Sequence, residues 1–151
     1  MPDTLKMTIE ARSVNEGFAR AAVAAFAARL DPNLEELADI KTAVSEAVTN
    51  CIVHAYPSGA GLIHISVRTD EARRSVRVTV RDTGIGIADV AKAREAMFTT
   101  GGADRSGMGF TVMESFMDEV RVRSAPGKGT TVTLVRRIAP RMGERPCGRT
   151  D

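Results

Sequence analysis

At 151 residues, with 43% hydrophobic and 26% charged side chains and a formal net charge of +2, the chain has apolar material for one core and no room for a second domain of ordinary size. No run approaches the ~18 apolar residues of a membrane span, no signal-peptide pattern is present, and so small a charge gives nucleic-acid binding no electrostatic support. Cys51 and Cys147 form neither a metal-ligand spacing nor a disulfide framework, so the expected compartment is the cytoplasm.

Residues 4–11 alternate and predict a first strand, with Ser13 or Asn15 placed to cap an alanine-rich helix running to about Leu30. Arg20 is the only charge between Glu16 and Arg29 on that helix. It therefore either snorkels to water or anchors a protein partner. After Asp31-Pro32, Asn33 and Glu36 form a capping box that starts a second helix, which runs to about Ala55 and is stopped by Tyr56-Pro57-Ser58-Gly59. On it Leu37, Ile40, Val44, Ala47, Val48 and Cys51 make an apolar stripe, while Glu46 and Asn50 share another face one turn apart. Cys51, in the stripe, reads as an inert core residue.

Residues 62–69 and 75–81 predict two strands joined by a polar turn. In the second, Val76, Val78 and Val80 face a core and Asp82 continues their phase. A carboxylate pointing into apolar packing needs a hydrogen-bond partner, and a ligand's exocyclic amino group is one candidate. Gly84 and Gly86 follow at once, permitting backbone angles and close approaches that a side chain would block. Residues 87–96 predict a short helix, and 98–109 a glycine-rich loop of the length used for lids and binding loops. A helix over 110–117 follows, and 119–124 with 130–138 make a hairpin across Ala125-Pro126-Gly127-Lys128-Gly129. Arg105-Ser106-Gly107-Met108-Gly109-Phe110 opens a helix between glycines, where free backbone N–H groups make an anion site. Gly127-Lys128-Gly129-Thr130 is not a P-loop, which needs Lys followed directly by Ser or Thr. Two helices early and strands in runs argue for an α+β fold over residues 1–138. Residues 139–151, rich in Pro, Arg and Gly, are expected to form a disordered tail. His54 and His64 raise histidine autophosphorylation as a rival chemistry, but neither sits in a dimerising helical hairpin and both read as structural.

Four blocks thus stand in one order: Glu46-x-x-x-Asn50, Asp82-x-Gly84-x-Gly86, Gly107-x-Gly109 and Gly127-Lys128-Gly129-Thr130. In that order, over roughly residues 4–138, the chain resembles the GHKL superfamily of ATPases and kinases. Two stretches, Ser45-Glu46-Ala47-Val48-Thr49-Asn50 and residues 98–118, are similar nearly residue for residue to its anti-sigma F factor family of serine-protein kinases. Gly101-Gly102-Ala103 stands where members of that family more usually carry a Pro- and Glu-containing segment.

The resemblance implies a Bergerat-type ATP-binding fold, a two-layer sandwich of a mixed, mostly antiparallel sheet backed by helices. It implies ATP and Mg²⁺ as cofactors, a homodimer, and two protein partners: a sporulation sigma factor held inactive and an anti-sigma factor antagonist phosphorylated on serine. Asn50 would hold Mg²⁺ through its amide oxygen, a role one protein oxygen can fill when phosphates and water supply the rest. Glu46 would accept or orient the serine proton. Asp82 would hold the adenine amino group, helped by Thr130 through water, with Gly84 and Gly86 letting base and ribose lie close. Gly107 and Gly109 would cradle phosphates, Arg105 would reach the transferring γ-phosphoryl, and Arg20 would contact a partner. The alternatives are a switch-protein kinase of a stress-response sigma pathway and a nucleotide-dependent sigma-binding module without turnover. A stand-alone ATPase of the gyrase or chaperone type would need a further transducer domain.

Overall fold

The computed structural model describes residues 2–57, 59–94 and 106–140. In chain order these form β1 (Asp3–Glu10), α1 (Val14–Ala27), α2 (Leu34–Asn50), β2 (Leu62–Asp70), β3 (Ser75–Asp82), α3 (Val90–Arg94), α4 (Ser106–Phe116), β4 (Glu119–Ala125) and β5 (Gly129–Arg137). A 3₁₀ turn, Ala28–Leu30, extends α1, and a π-helical turn, Cys51–Ala55, extends α2. The sheet runs β1-β2-β3-β5-β4, and every pairing in it is antiparallel. The expected α+β sandwich is present. Its two tight connections, β2 to β3 and β4 to β5, are hairpins, which pair antiparallel by construction.

Period-2 patterning decides which face of the sheet carries the helices. Ile63, Ile65 and Val67 of β2, Val76, Val78 and Val80 of β3, and Val132 and Leu134 of β5 are buried on one side. Arg68, Arg77 and Arg81 alternate with them on the exposed side. Over the buried side α2 lays Ile40, Ala43, Val44, Ala47, Val48 and Cys51. Ala19, Val23 and Ala27 of α1 pack beside it, and Phe110, Met113 and Met117 close the layer at the α4 end.

The capping box forms as the sequence predicts. Asn33 Oδ1 accepts the Glu36 N–H at 2.7 Å, and Glu36 Oε1 accepts the Asn33 N–H at 2.9 Å. The other Glu36 oxygen accepts the Ala139 N–H at 2.7 Å, fastening the segment after β5 to the start of α2. The first helix is capped less directly. Ser13 holds the N-cap position without a side-chain bond, and the Asn15 amide turns back to donate to the Glu10 carbonyl at 2.8 Å. Against the expectation of a loop to residue 109, α4 begins at Ser106, so Gly107 and Gly109 lie inside the helix. Each helical glycine costs about 1 kcal/mol, and burial of Phe110 and Met113 outweighs it. The remainder of the expected loop and residues 141–151 of the expected tail lie outside the described residues.

Candidate functional site

The C-terminal end of α2, the exit of β3, the first turns of α4 and the start of β5 enclose a cavity of ≈ 210 Å³, lined among others by Asn50, His54, Asp82, Ile87, Phe110 and Thr130. Asp82 sits where the β3 alternation puts it, 4% exposed. Its Oδ1 accepts two backbone N–H groups, from Gly84 at 3.0 Å and Thr130 at 3.2 Å. Among the described residues its Oδ2 receives only the Cys51 thiol, at 3.5 Å. Burial, and then the neighbouring Asp82 carboxyl, push that thiol far above the usual cysteine range, so it stays protonated and donates. A thiol is a weak donor, which leaves Oδ2 acceptor capacity for a stronger one.

Tyr56, which the sequence presents only as part of a helix stop, organises the turn after Asp82. Its hydroxyl donates to the Leu62 carbonyl at 2.6 Å and accepts the Thr83 N–H at 2.8 Å. The two glycines of the turn have reasons that precede any ligand. A Cβ on Gly84 would lie 2.1 Å from the Ala55 carbonyl oxygen, the acceptor of the Ile85 N–H at 3.0 Å. Gly86 has φ +75°, and a Cβ there would meet the Ala125 carbonyl oxygen at 2.0 Å. Close packing of backbone on backbone thus demands both glycines; only Gly86 also lines the cavity. Gly84→Ala is expected to destabilise the fold by about 2 kcal/mol or more, since the neighbour in the way is main chain that cannot rotate aside. Urea unfolding would check this, and an unchanged midpoint would refute it.

Glu46 and Asn50 project from α2 toward the start of α4. A Cβ on Gly109 would stand 3.2 Å from Asn50 Nδ2, 3.3 Å from Asn50 Oδ1 and 3.4 Å from Glu46 Oε2. Glycine there lets the helix start approach a carboxylate and an amide together. Asn50 Nδ2 is buried with no hydrogen-bond partner among the described residues. A buried donor left unsatisfied costs about 1–3 kcal/mol, and a phosphate oxygen at the helix N-terminus would satisfy it. The amide oxygen alongside is a hard ligand. Among the described residues no three His, Cys, Asp or Glu side chains gather as a metal centre, so the donor set on offer suits Mg²⁺ held chiefly by phosphate and water.

The remaining predicted residues divide. Thr130 lines the cavity beside Asp82, and Gly107 lies in the first turn of α4. Arg20 neither simply snorkels nor stands free, because its Nη1 bridges Glu16 Oε1 at 3.3 Å and, across to α2, Ser45 Oγ at 3.4 Å. Its side chain keeps 42% exposure next to the Glu46 position. His54 is exposed at the cavity and His64 lies against the Thr8 hydroxyl, Nδ1 to Oγ1 3.1 Å, on the outer sheet face. Arg105 lies outside the described residues.

Comparison with known proteins bears on the family and the fold. Residues 8–136 match the family described as Histidine kinase-like ATPase domain. The anti-sigma F factor of Caldanaerobacter subterraneus subsp. tengcongensis is 53% identical over 135 residues, which cover 89% of this chain and 93% of that one. That of Geobacillus kaustophilus is 52% identical over 141 residues, 92% of this chain and 95% of its own. Among solved structures, the RsbU and RsbW domains of Rv1364c from Mycobacterium tuberculosis superpose with a TM-score of 0.66 at 25% identity, over 90% of this chain and 32% of that one. The histidine kinase domain of a blue-light activated kinase from Erythrobacter litoralis shares the fold, with a TM-score of 0.53 at 20% identity over 82% of this chain and 61% of that one.

Proposed function

The chain belongs to the histidine kinase-like ATPase domain family and, within it, to the anti-sigma F factors, and from that premise we propose that it binds ATP with Mg²⁺, inhibits a sporulation sigma factor by binding it, and phosphorylates a serine of the anti-sigma factor antagonist. One observation carries the site assignment. Glu46, Asn50 and the start of α4 converge at Gly109, at one end of a cavity that also holds the buried Asp82.

In this reading Asp82 Oδ2 accepts the adenine amino group and Thr130 assists, while the N–H groups around Gly107 and Gly109 and the Asn50 amide hold phosphate oxygens. Bound Mg²⁺, ligated by Asn50, would neutralise charge on the phosphates. The serine hydroxyl oxygen forms a bond to the γ-phosphorus as the bond to the ADP oxygen breaks. Glu46 accepts the serine proton, and ADP leaves. Arg105 contributes a cation to the transferring group. Val14 and Phe18, 69% and 61% exposed on α1, give an apolar surface of the kind a second copy or a partner covers, and Arg20 adds a charged anchor at its edge. A homodimer in the cytoplasm, with residues 1–138 as the kinase domain, completes the reading. No helix among the described residues is long and apolar enough to cross a membrane.

Asp82→Ala tests the base assignment. Loss of one hydrogen bond to a charged group is worth about 1.5–3 kcal/mol, so ATP should bind roughly 10- to 150-fold more weakly while GTP is little changed. An equal loss for both nucleotides in a calorimetric titration would refute adenine recognition at Asp82.

A further inference from the structure

We propose that His54 is a nucleotide-contacting residue whose imidazole donates to the α-phosphate, between the base held at Asp82 and the outer phosphates held at Asn50; this rests on the nucleotide reading above. Among the described residues the polar side chains lining the cavity are Asn50, His54, Asp82 and Thr130. Asp82 and Thr130 are assigned to the base and Asn50 to phosphate and cation. His54 is left without a task. The sequence reads it as structural, yet it is exposed and makes no hydrogen bond or ion pair with another described residue, whereas His64 lies against the Thr8 hydroxyl.

The winding of the chain sets where His54 stands along the cavity. The π-helical turn Cys51–Ala55, with its i to i+5 hydrogen bonding, continues α2 past Asn50 and carries His54 one turn beyond it. Asn50 marks the phosphate end, beside Gly109. Ala55, the residue after His54, backs the turn that follows Asp82, because its carbonyl oxygen accepts the Ile85 N–H at 3.0 Å and would meet a Cβ on Gly84 at 2.1 Å. His54 therefore falls between the two ends. In a nucleotide the groups between base and outer phosphates are the ribose and the α-phosphate, and charge favours the second. Of the polar lining side chains only His54 can carry positive charge, and imidazole offers an N–H donor in its neutral and its protonated form alike. Phosphate oxygens are acceptors with negative charge. A carboxylate at one end of the cavity and an imidazole toward the other thus match a ligand with an amino-bearing base and an anionic tail.

The test titrates the intact chain with adenosine, AMP and ADP, followed by NMR chemical shifts so that weak binding is measured, in chelator so that no metal contributes. The wild type should bind AMP and ADP more tightly than adenosine. His54→Leu should weaken AMP and ADP by about 3- to 12-fold, the worth of one hydrogen bond at a solvent-exposed site, and leave adenosine unchanged. A residue that only supported the fold would cost all three ligands alike. His54→Lys, which keeps a positive N–H donor, should restore most of the phosphate-dependent part. Equal losses for adenosine and the two phosphate-bearing ligands, or no loss for AMP and ADP, would overturn the inference while the nucleotide pocket stands. A wild-type chain that bound adenosine and AMP equally would overturn it too. One that bound none of the three would overturn the nucleotide reading and this inference with it.

Discussion

Glu46→Gln is expected to slow serine phosphorylation by roughly 10²- to 10⁴-fold, the range typical of losing a general base, with ATP binding nearly intact. The two effects come apart because the groups are spatially separate. The end of the cavity assigned to the base is built from Asp82 and its backbone donors, on the exit of β3 and the start of β5. Glu46 lies on α2, with its Oε2 beside Gly109. Glutamine keeps the length and shape of the side chain and removes only its ability to take a proton. Inhibition by binding needs no turnover, so capture of the sigma factor should survive in the same variant. A phosphotransfer time course with labelled ATP and the antagonist, run beside a sigma-factor pull-down, reads both consequences. Undiminished transfer would refute Glu46 as the base, and loss of ATP binding would make it a support of the pocket.

The depth of each site residue was legible wherever a local period carried it. Three alternating valines place Asp82 inward, and the Asn33–Glu36 box sets the start of the helix that presents Glu46 and Asn50 a turn apart. What stayed hidden was every contact made across a long stretch of chain. Cys51 reads correctly as buried, yet nothing local says that its thiol donates to a carboxyl 31 residues away. Tyr56 looks like punctuation before a proline until the fold brings Thr83, 27 residues on, under its hydroxyl. Gly84 and Gly86 suggest room for a ligand, whereas the tightest approaches are to the main chain at Ala55 and Ala125. Arg20 shows its isolation on an alanine-rich helix but not the partner that relieves it, Ser45 on the neighbouring helix. The start of α4 was misplaced for the opposite reason. The Gly-x-Gly pattern reads both as the end of a loop and as the opening of a helix, and tertiary burial of Phe110 and Met113 decides for the helix against the low propensity of Gly107 and Gly109.

Asn50→Ala should abolish ATP binding in Mg²⁺ at concentrations that saturate the wild type, a loss of about 10²-fold or more. Hydrogen bonds to charged groups are worth about 1.5–3 kcal/mol each, and this one side chain is assigned both a phosphate contact through Nδ2 and the metal contact through Oδ1. The free protein should tell a different story. Asn50 Nδ2 is buried without a partner among the described residues, so removing it relieves a desolvation cost instead of breaking a bond. The unliganded fold should therefore be no less stable to urea than the wild type, and by this argument up to about 1 kcal/mol more so. Asn50→Asp separates the two contacts. It keeps an oxygen for the cation, loses the donor, and sets a second carboxylate one turn from Glu46 and next to the phosphates, so the Mg²⁺ dependence should persist while ATP affinity falls. Titrations in Mg²⁺ and in chelator, paired with urea melts of the free variants, supply all four readings. Unchanged ATP affinity in Asn50→Ala would refute the assignment, and a marked loss of stability in the free variant would mean that Asn50 is held for the fold.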